Sequence, residues 1–399
     1  MAEPLRIVLL GALGQMPFAG VAWQVLHYLE GLRRLGHDVT YVEDTGAWPY
    51  DPDAETVTDD ATGTVRKLGA LLAAYGFGGR WAFRNGARPA ELHGMSENAL
   101  AARLSGADVL VNLSGATVLG DAHRAVPIRI YLETDPVTPQ IEIAEGNTRT
   151  AELLAAHTHH FTFGERIGTP GCAVPVGDLT YRPTRQPVVL DWWAPPSEAG
   201  ANGNGASGAR RRLRCTTVAS WEQSHKDVSL DGETYTWSKR AEFEKLLGVP
   251  RRVDATIELA LALDDDVQLA RLRAAGFVVW PARRLSNDPQ AYRDYIRGSG
   301  AEFTAAKDQN VRLRSGWFSD RTATYLASGR PAVVQDTGFD AVLPTGEGLL
   351  SFRTADDAVA ALEEVAADPA RHEAAALAIA REFLDAETVL ARLLRDAGV

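Results

Sequence analysis

The sequence predicts an α/β protein built from two doubly wound, Rossmann-like domains that face each other across a cleft. Short apolar segments of strand length alternate with amphipathic segments of helix length in both halves of the chain. Most apolar segments end in glycine or polar residues, which is where ligands bind in parallel α/β sheets. A length of 399 residues is enough for about two such domains.

The first unit of the chain is predicted to be a strand, a loop, a helix and a second strand. The strand covers 6–13 and the loop 14–20. Apolar residues then recur at helical spacing, and Gly36 is placed to cap the helix end. The second strand ends in the acids Glu43 and Asp44. Units of this kind build parallel sheets with right-handed crossovers.

Further elements continue the same pattern toward the C-terminus. In the first half we predict strands at 107–115, 127–136 and 159–165 and helices at 89–105 and 139–157. In the second half we predict strands at 214–221, 254–263, 276–284 and 301–308, a helix at 291–300, a helix and a strand within 315–338, and helices at 355–367 and 368–397.

A change in composition separates the two halves. Residues 196–211 are rich in Gly, Ala, Asn and Ser, which is typical of a flexible segment. We therefore predict an N-terminal domain over 1–185, a linker and flexible segment over 186–212, a C-terminal domain over 213–380 and a closing helix over 381–399.

Composition also limits the class of partner. A net charge of −11 and an isoelectric point of about 5.4 disfavour nucleic acids and anionic membranes as electrostatic partners. The two cysteines, Cys172 and Cys215, make neither a disulfide framework nor a metal cluster, which favours the reducing cytoplasm. A secretion signal is the alternative for the apolar start, but the amphipathic helix directly after it favours a buried strand. We expect no membrane span, because no apolar run approaches about 20 residues.

Three histidines, His157, His159 and His160, raise the question of a metal site. They lie where a helix is predicted to run into a strand. Histidines near a helix C-terminus complement its dipole, and alternation along a strand sends neighbours to opposite faces. We favour this structural interpretation and predict no metal.

A dinucleotide site is a weak alternative. Gly11, Gly14 and Gly20 follow the first strand with the wrong spacing for G-x-G-x-x-G, although Glu43 and Asp44 end the second strand as that site requires. No Walker A sequence is present.

The segment 315–338, SGWFSDRTATYLASGRPAVVQDTG, offers a stronger candidate for anion binding. A helix N-terminus presents free N–H groups and the positive end of the dipole to a phosphate. Small or hydroxyl residues (Ser315, Gly316, Ser319 and Thr322) would let the ligand approach, and Arg321 would add a bidentate contact. The structural alternative is a capped surface helix with Asp320 at its positive end.

Part of this segment, TATYLASGRPAVVQDTG (322–338), is similar to the donor-site segment of GT-B glycosyltransferases, where a helix of the kind LEALACGKPVV precedes a strand and a Gly turn. Residues 20–44 resemble the first helix and second strand of that fold, which typically reads L-x-x-x-G-H-x-V-x-x-V. Residues 291–308 resemble the helix and short strand that precede the donor loop. The chain most resembles a poorly characterised bacterial glycosyltransferase-like group with the pattern RSGWFSDR…YLASGRPVVVQDTGF.

Departures from the family pattern leave the stereochemistry of transfer open. Common retaining GT-B enzymes carry two glutamates eight positions apart, and the corresponding residues here are Gly316 and Thr324. Inverting members often carry a histidine in the loop after the first strand, and this loop has none. The long nucleotide-binding signature of the plant and antibiotic type is also not evident.

The resemblance implies a role for several residues of the first half. Gly14 and the loop after it would approach the donor phosphates or the acceptor, and Phe18, Ser114 and Glu133 would contact the acceptor. Asp135 is the candidate general base and Glu165 the second, because an inverting transfer needs a group that takes the acceptor's proton. Turn formation by Asp135-Pro136 is an equally good explanation for that aspartate.

In the second half, the resemblance implies donor contacts. Lys239 would reach the diphosphate, Lys307 would line the donor pocket and Arg283 would lie where the base docks. Asp336 and Thr337 would hold hydroxyls of the donor sugar. Trp221, Trp237 and Trp317 are candidates for stacking, although core packing explains tryptophan equally well.

Together these features predict a cytoplasmic, metal-independent glycosyltransferase. It would move a sugar from a UDP- or dTDP-linked donor to a small, natural-product-like acceptor, without a prosthetic group. The alternatives are a nucleotide-sugar epimerase or hydrolase on the same fold, and a non-catalytic nucleotide-sugar binding protein.

Overall fold

A computed structural model describes residues 3–51, 53–195 and 212–399. The predicted flexible segment at 196–211 lies outside the described residues. The strands of the first half are β1 (Arg6–Leu10), β2 (Asp38–Glu43), β3 (Tyr50–Asp51), β4 (Thr56–Val57), β5 (Trp81–Arg84), β6 (Leu92–His93), β7 (Val109–Leu113), β8 (Ile128–Glu133), β9 (His159–Thr162) and β10 (Tyr181–Pro183). Its helices are α1 (Ala19–Arg34), α2 (Thr62–Ala74), α3 (Glu97–Ser105), α4 (Asp121–Arg124), α5 (Thr138–Ala144), α6 (Thr148–Ala155) and α7 (Leu190–Trp193).

The second half has its own set of elements. Its strands are β11 (Leu213–Ser220), β12 (Val228–Leu230), β13 (Glu233–Tyr235), β14 (Ala255–Ala262), β15 (Val278–Pro281), β16 (Ala301–Thr304), β17 (Ala332–Gln335) and β18 (Leu349–Phe352). Its helices are α8 (Arg240–Glu244), α9 (Asp266–Ala275), α10 (Arg283–Ser286), α11 (Pro289–Arg297), α12 (Asp308–Leu313), α13 (Asp320–Ala327), α14 (Ala355–Ala367), α15 (Pro369–Ile379) and α16 (Ala386–Asp396).

Each half is organised around one sheet. The first sheet has the order β10-β9-β8-β7-β1-β2-β5-β6, and β5–β6 is its antiparallel pair. The second has the order β15-β14-β11-β16-β17-β18 with parallel pairing. The predicted class of two doubly wound parallel sheets is therefore confirmed. In such sheets all the parallel strands deliver their carboxyl ends to the same edge.

Helix boundaries differ from the predictions where local capping intervenes. The helix predicted over 139–157 is divided into α5 and α6 at Gly146, which has φ +84°. The Asn147 side chain accepts a hydrogen bond from the Thr150 N–H and starts α6. The helix predicted from 89 begins only at Glu97, because the preceding chain pairs with β5 as strand β6.

The last helix returns to the first half of the chain. Leu390, Leu393 and Leu394 on α16 are buried in the same apolar core as residues of α1 and β1. Gly31 on α1 allows the close approach, since a Cβ there would lie 2.5 Å from Leu390 Cδ1. The single helix predicted over 368–397 is interrupted by a π-helical turn at Ala380–Leu384, which lets α16 change direction.

Direct contacts join the two halves. The Trp23 indole on α1 donates to the Pro289 carbonyl at 2.9 Å. The Val188 N–H donates to the Leu384 carbonyl at 2.7 Å, so the chain entering α7 is paired with the turn before α16. These contacts set the carboxyl ends of the two sheets on either side of a single cleft.

Candidate active site

The cleft contains a cavity of about 990 Å³ between the two sheets. Eight of the residues predicted for a site line it: Phe18, Ser114, Glu133, Asp135, Trp237, Arg283, Ser319 and Arg321. Phe18, Ser114 and Asp135 follow strands of the first sheet and Glu133 ends β8, whereas the other four belong to the second half. The cavity therefore receives side chains from both halves of the chain.

Asp135 reaches across the cleft to Lys307. The Lys307 ammonium forms an ion pair with Asp135 Oδ2 and lies 3.1 Å from the centroid of the Trp237 ring. Burial lowers the pKa of Lys307 to about 8, although the charge of Asp135 opposes that shift. Oδ1 of Asp135 is buried and has no hydrogen-bond partner among the described residues. The Asp135 side chain therefore lines the cavity with one oxygen paired to Lys307 and the other buried without a partner in the described part of the chain.

The turn after Asp135 is also part of the interface. Gln309 Nε2 donates to the Pro136 carbonyl at 3.1 Å. Val137 is held at φ +91°, a conformation that is costly for a β-branched residue, and its N–H donates to Gln140 Oε1 at 2.7 Å. The segment after Asp135 is therefore held by hydrogen bonds from both halves, while Asp135 itself lines the cavity.

The two other acids predicted for the first half are held by its own residues. Glu133 accepts hydrogen bonds from Gln140 Nε2 at 2.8 and 2.9 Å and from the Thr162 hydroxyl at 2.6 Å. Burial raises the pKa of Glu133 to about 7. Glu165 pairs with Arg185 at 2.6 Å, is absent from the cavity lining, and has its pKa raised by burial. Asp135 is the better placed of the two candidate bases.

Two buried cationic side chains, Arg321 of α13 and Lys239 before α8, lie close together. Arg321 donates to Glu302 at 2.6 Å, to the Val218 carbonyl at 2.7 Å and to the Thr304 hydroxyl at 3.0 Å. Lys239 Nζ donates to the same hydroxyl at 3.3 Å. Burial, reinforced by the charge of Arg321, holds the pKa of Lys239 well below its ordinary value. Of these two cations only Arg321 lines the cavity, and it is paired with Glu302; Lys239 lies outside the lining.

The loop before α13 uses its polar groups internally. The Ser319 hydroxyl accepts from the Arg321 N–H at 3.3 Å and caps the helix, as predicted by the structural alternative. Ser315 donates to Asn310 Oδ1 at 2.7 Å, and the Gly316 N–H donates to the Thr337 carbonyl at 2.8 Å. The Thr322 hydroxyl is buried without a hydrogen-bond partner among the described residues. Ser315, Gly316 and Thr322 are absent from the cavity lining.

Asp336 and Thr337 support this loop rather than line the cavity. The Asp336 carboxylate binds Arg353 at 2.8 Å and Arg314 at 3.2 Å. The Thr337 hydroxyl donates to the Trp317 carbonyl at 2.6 Å. A contact of Asp336 and Thr337 with hydroxyls of the donor sugar stays a prediction. Both side chains already bind protein groups in this structure.

Arg283 closes one side of the cavity. It forms an ion pair with Glu55, in the turn between β3 and β4, at 2.5 Å and with Asp264 at 3.2 Å. The hairpin of the first half is thereby linked to the second half. The assignment of Arg283 to the nucleotide base stays a prediction.

Gly14 and Glu43 act together in the loop after β1. Glu43 accepts hydrogen bonds from the backbone N–H groups of Gly14 and Gln15, both at 2.7 Å, and from the Tyr41 hydroxyl at 2.9 Å. Burial raises the pKa of Glu43 to about 7. Glu43 therefore holds the loop that places Phe18 in the cavity wall. Because its carboxylate is used in this way, the structure gives little support to a dinucleotide site in which Glu43 would bind the ribose.

The three histidines do not converge. His157 contacts Asn112 Nδ2 at 3.1 Å and the Leu153 carbonyl at 2.9 Å. His160 contacts the Leu154 carbonyl and His159 the Thr158 hydroxyl, each at 2.9 Å. Among the described residues, no group of three or more His, Cys, Asp or Glu side chains is placed to hold a metal ion.

Asp320 and Gln24 are two of the cavity residues that were not predicted as site residues. Asp320, the first residue of α13, lines the cavity, and its Oδ2 accepts from Gln24 Nε2 at 3.1 Å. Burial raises the pKa of Asp320 to about 7. In the sequence Asp320 is a typical helix-start acid, and Gln24 has no distinguishing signal. Their meeting depends on the contact between α1 and α13.

Comparison with known proteins identifies the fold. No protein-family model matches the sequence, and no curated protein sequence matches it. Among solved structures, HepE from Anabaena in complex with UDP-glucose is similar with a TM-score of 0.60, 11% identity and coverage of 98% of this chain and 99% of HepE. AviGT4, a glycosyltransferase of avilamycin A biosynthesis, has a TM-score of 0.53, 14% identity and coverage of 99% and 97%.

A third similar structure is an alpha-glucosyltransferase in complex with UDP and a 13-mer DNA. Its TM-score is 0.58, with 11% identity over the whole of both chains. AviGT4 and the alpha-glucosyltransferase are glycosyltransferases, and the alpha-glucosyltransferase and HepE are in complex with UDP and UDP-glucose, respectively. The predicted GT-B fold is therefore confirmed. No helix in the described part of the chain is long and apolar enough to cross a membrane.

Proposed function

We propose that the protein is a glycosyltransferase that moves a sugar from a nucleoside diphosphate donor to a small-molecule acceptor. One observation carries the proposal. A single cavity between the carboxyl ends of two parallel sheets receives the Asp135 carboxylate from one half and the start of α13 with buried cations from the other. Acid–base chemistry and anion binding are thus placed on opposite walls of one cleft.

Donor binding is assigned to the second half. Its wall supplies the helix start at Ser319 and the guanidinium of Arg321, and Lys307 lies beside it. Helix N-termini and cations stabilise phosphate groups. HepE, whose fold this chain shares, is in complex with UDP-glucose. We infer a UDP-linked sugar as donor, with a dTDP-linked sugar as the alternative.

Asp135 is proposed as the base. It would take the proton from the acceptor hydroxyl as the acceptor oxygen bonds to the anomeric carbon. The bond from that carbon to the phosphate oxygen would break, and the diphosphate would leave with the bonding electrons. Lys307 and the positive end of α13 would stabilise the negative charge that develops on the diphosphate.

The acceptor would lie against the first half of the chain. Met16, Phe18 and Tyr50 contribute apolar and aromatic surface to the cavity, and the rings of Phe18 and Tyr50 are 5.8 Å apart. This surface suits a small organic acceptor. The alpha-glucosyltransferase similar to this chain is in complex with DNA, but a net charge of −11 disfavours DNA here.

A binding protein without transferase activity is the second candidate. Gly316 and Thr324 occupy the positions where common retaining members carry glutamates. The φ of +77° at Gly316, with an added Cβ only 2.7 Å from Arg166 Cγ, shows that no glutamate fits that position. Loss of both acids is compatible with nucleotide-sugar binding that leads to no transfer.

Donor turnover distinguishes these functions. The protein would first be screened by thermal shift against nucleoside diphosphates, since the right base raises the melting temperature most. Consumption of the matching nucleotide sugar would then be measured with and without a panel of small hydroxylated aromatic acceptors. We expect consumption that depends on an acceptor, and a fall of about 100-fold or more in Asp135→Asn with nucleotide binding retained.

Asp178→Asn is the matched control, because Asp178 is an exposed aspartate in the loop before β10. It should retain full activity. Free sugar released without any acceptor would instead identify a hydrolase. Binding of a nucleotide sugar with no consumption by the unaltered protein would overturn the transferase proposal in favour of a binding protein.

A further inference from the structure

Asp320 is a carboxylate in the cavity wall that lacks a positive partner. The nearby cations are committed elsewhere: Arg321 pairs with Glu302 at 2.6 Å, and Lys307 pairs with Asp135. No ion pair joins Asp320 to a lysine or arginine in the described part of the chain, and its Oδ2 accepts from the uncharged Gln24. The base proposed above does not involve Asp320, so its presence in the cavity needs its own explanation.

Side chains from several helices and loops face Asp320, and together they do not neutralise a negative charge on it. They are Gln24 and Tyr28 of α1, Asp135 after β8, Tyr292 of α11, Lys307 before α12 and Arg321 of α13. Asp135 repels a negative charge on Asp320, while Arg321 and Lys307 attract it. Burial has the largest effect and raises the pKa of Asp320 to about 7.

A nucleoside diphosphate would add negative charge to this cavity. Its phosphates would lie near the start of α13, where Asp320 is the first helical residue. Two negative groups in one partly buried site repel each other strongly, because the local dielectric constant is low. Addition of one proton to Asp320 removes that repulsion and converts the group into a hydrogen-bond donor.

We propose that Asp320 takes up a proton when a nucleoside diphosphate binds, so that a neutral carboxyl group faces the phosphates. The inference rests on the proposed function in one respect, namely that the cavity binds such a ligand. It makes Asp320 a positioning residue that sets the pH range of donor binding. Because the complex holds the proton more tightly than the free protein, affinity falls as pH rises above about 7.

Lys239 contributes in the same direction. Its ammonium is buried and shares the Thr304 hydroxyl with Arg321, so the lysine loses its proton more readily than an exposed one. An anion in the cavity would favour the charged form and draw a proton onto Lys239 as well. The number of protons taken up is therefore the sum of those bound by Asp320 and by Lys239. A substitution at Asp320 removes its share and leaves that of Lys239.

Isothermal titration calorimetry with UDP measures proton uptake directly. Full-length protein would be titrated at pH 7.5 in HEPES and in Tris, whose ionisation enthalpies differ. We expect a binding enthalpy that depends on the buffer, with about 0.7 proton taken up by Asp320 and up to about one more by Lys239. In Asp320→Asn the uptake should fall by about 0.7 proton.

Asp266→Asn is the matched control, since Asp266 is also the first residue of a helix, α9, but is exposed and outside the cavity lining. Its proton uptake should equal that of the unaltered protein. The dissociation constant for UDP supplies a second measurement between pH 7.5 and 8.5. Over this range the dissociation constant should rise by up to about tenfold more in the unaltered protein and in Asp266→Asn than in Asp320→Asn.

Several results would overturn the inference. Binding of UDP with an enthalpy that is independent of buffer would do so, and this measurement needs no variant. Weakening of UDP binding by Asp320→Asn to the same degree at every pH would indicate a structural role instead. If no nucleoside diphosphate binds at all, the proposed function fails together with this inference, whereas binding without protons leaves the proposed function intact.

Discussion

Three buried carboxyl groups, Glu43, Glu133 and Asp320, have pKa values that the folded protein raises. Glu43 and Glu133 accept several hydrogen bonds each, yet burial raises the pKa of both to about 7. Asp320 reaches the same value with a single side-chain hydrogen bond from Gln24. Each of these groups binds a proton more tightly in the folded protein than in the unfolded chain.

Stability should therefore depend on pH near neutrality. A group with a raised folded-state pKa contributes its full stabilisation below its unfolded pKa of about 4 and loses it as pH rises through about 7. Differential scanning calorimetry would give the change in melting temperature from pH 5.5 to pH 8. Burial lowers the pKa of His27 to about 3 and of His157 to about 4, and these groups act in the opposite direction. The change should therefore be more positive in Glu133→Gln than in the unaltered protein, because the variant lacks one group with a raised pKa.

Glu152→Gln is the control for that experiment, since Glu152 is exposed on α6. It should leave the dependence of the melting temperature on pH unchanged. An equal change in melting temperature from pH 5.5 to pH 8 in Glu133→Gln and in the unaltered protein would contradict the raised pKa of Glu133.

At the scale of elements, the loop between α12 and α13 is held tightly against the first half of the chain. Its backbone turns sharply at Arg314, with φ +52°, and at Gly316, with φ +77°. The turn brings Gly316 against the Arg166 backbone of the first half and leaves no room for a side chain. Any side chain at position 316 is therefore sterically disfavoured.

Gly316→Ala should lower the free energy of unfolding by about 2 kcal/mol or more, because a left-handed backbone and a close contact at 2.7 Å both oppose the Cβ. Urea denaturation followed by circular dichroism would measure the change. Gly20→Ala is the matched control, since a Cβ at this position of α1 meets nothing within 4 Å. Alanine there should be neutral or stabilise by up to about 1 kcal/mol. Equal effects of the two substitutions would show that the loop is not constrained as described.

At the scale of the whole molecule, the chain crosses between its halves twice. It leaves the first sheet after β10 and returns through α16, which packs on α1. The closing helix predicted over 381–399 therefore contributes to the core of the first half. Segments 3 to 183 and 386 to 397 depend on each other for burial of their apolar surface.

Leu390→Ala should lower the free energy of unfolding of the first half by about 2–5 kcal/mol, because the side chain is fully buried against Gly31. Thermal unfolding monitored by tryptophan fluorescence would measure the loss. Val267→Ala is the control, since Val267 is 75% exposed on α9, and its effect should stay within about 0.5 kcal/mol. A Leu390→Ala protein as stable as this control would show that α16 does not support the first half.

The hydrophobic periodicity of the sequence was sufficient to predict the two parallel sheets. Alternating apolar strands and amphipathic helices predicted both parallel sheets, whereas Phe18, Ser114, Glu133 and Asp135, which line the cavity, were named from the resemblance to GT-B enzymes. The central strands were predicted because they are buried on both faces and read as continuous apolar runs. Short elements such as the hairpin at 50–57 had no such pattern and were not predicted.

By itself, the sequence determined the two α/β sheets and the edge at which the cavity lies, because both follow from local hydrophobic order along the chain. Only the tertiary structure decided which polar residues share the cavity. Contacts of α1 with α13 place Asp320 beside Gln24, and the crossing of the cleft pairs Asp135 with Lys307. These pairs are separated by 296 and 172 positions, so their meeting depends on long-range packing, which no local pattern encodes.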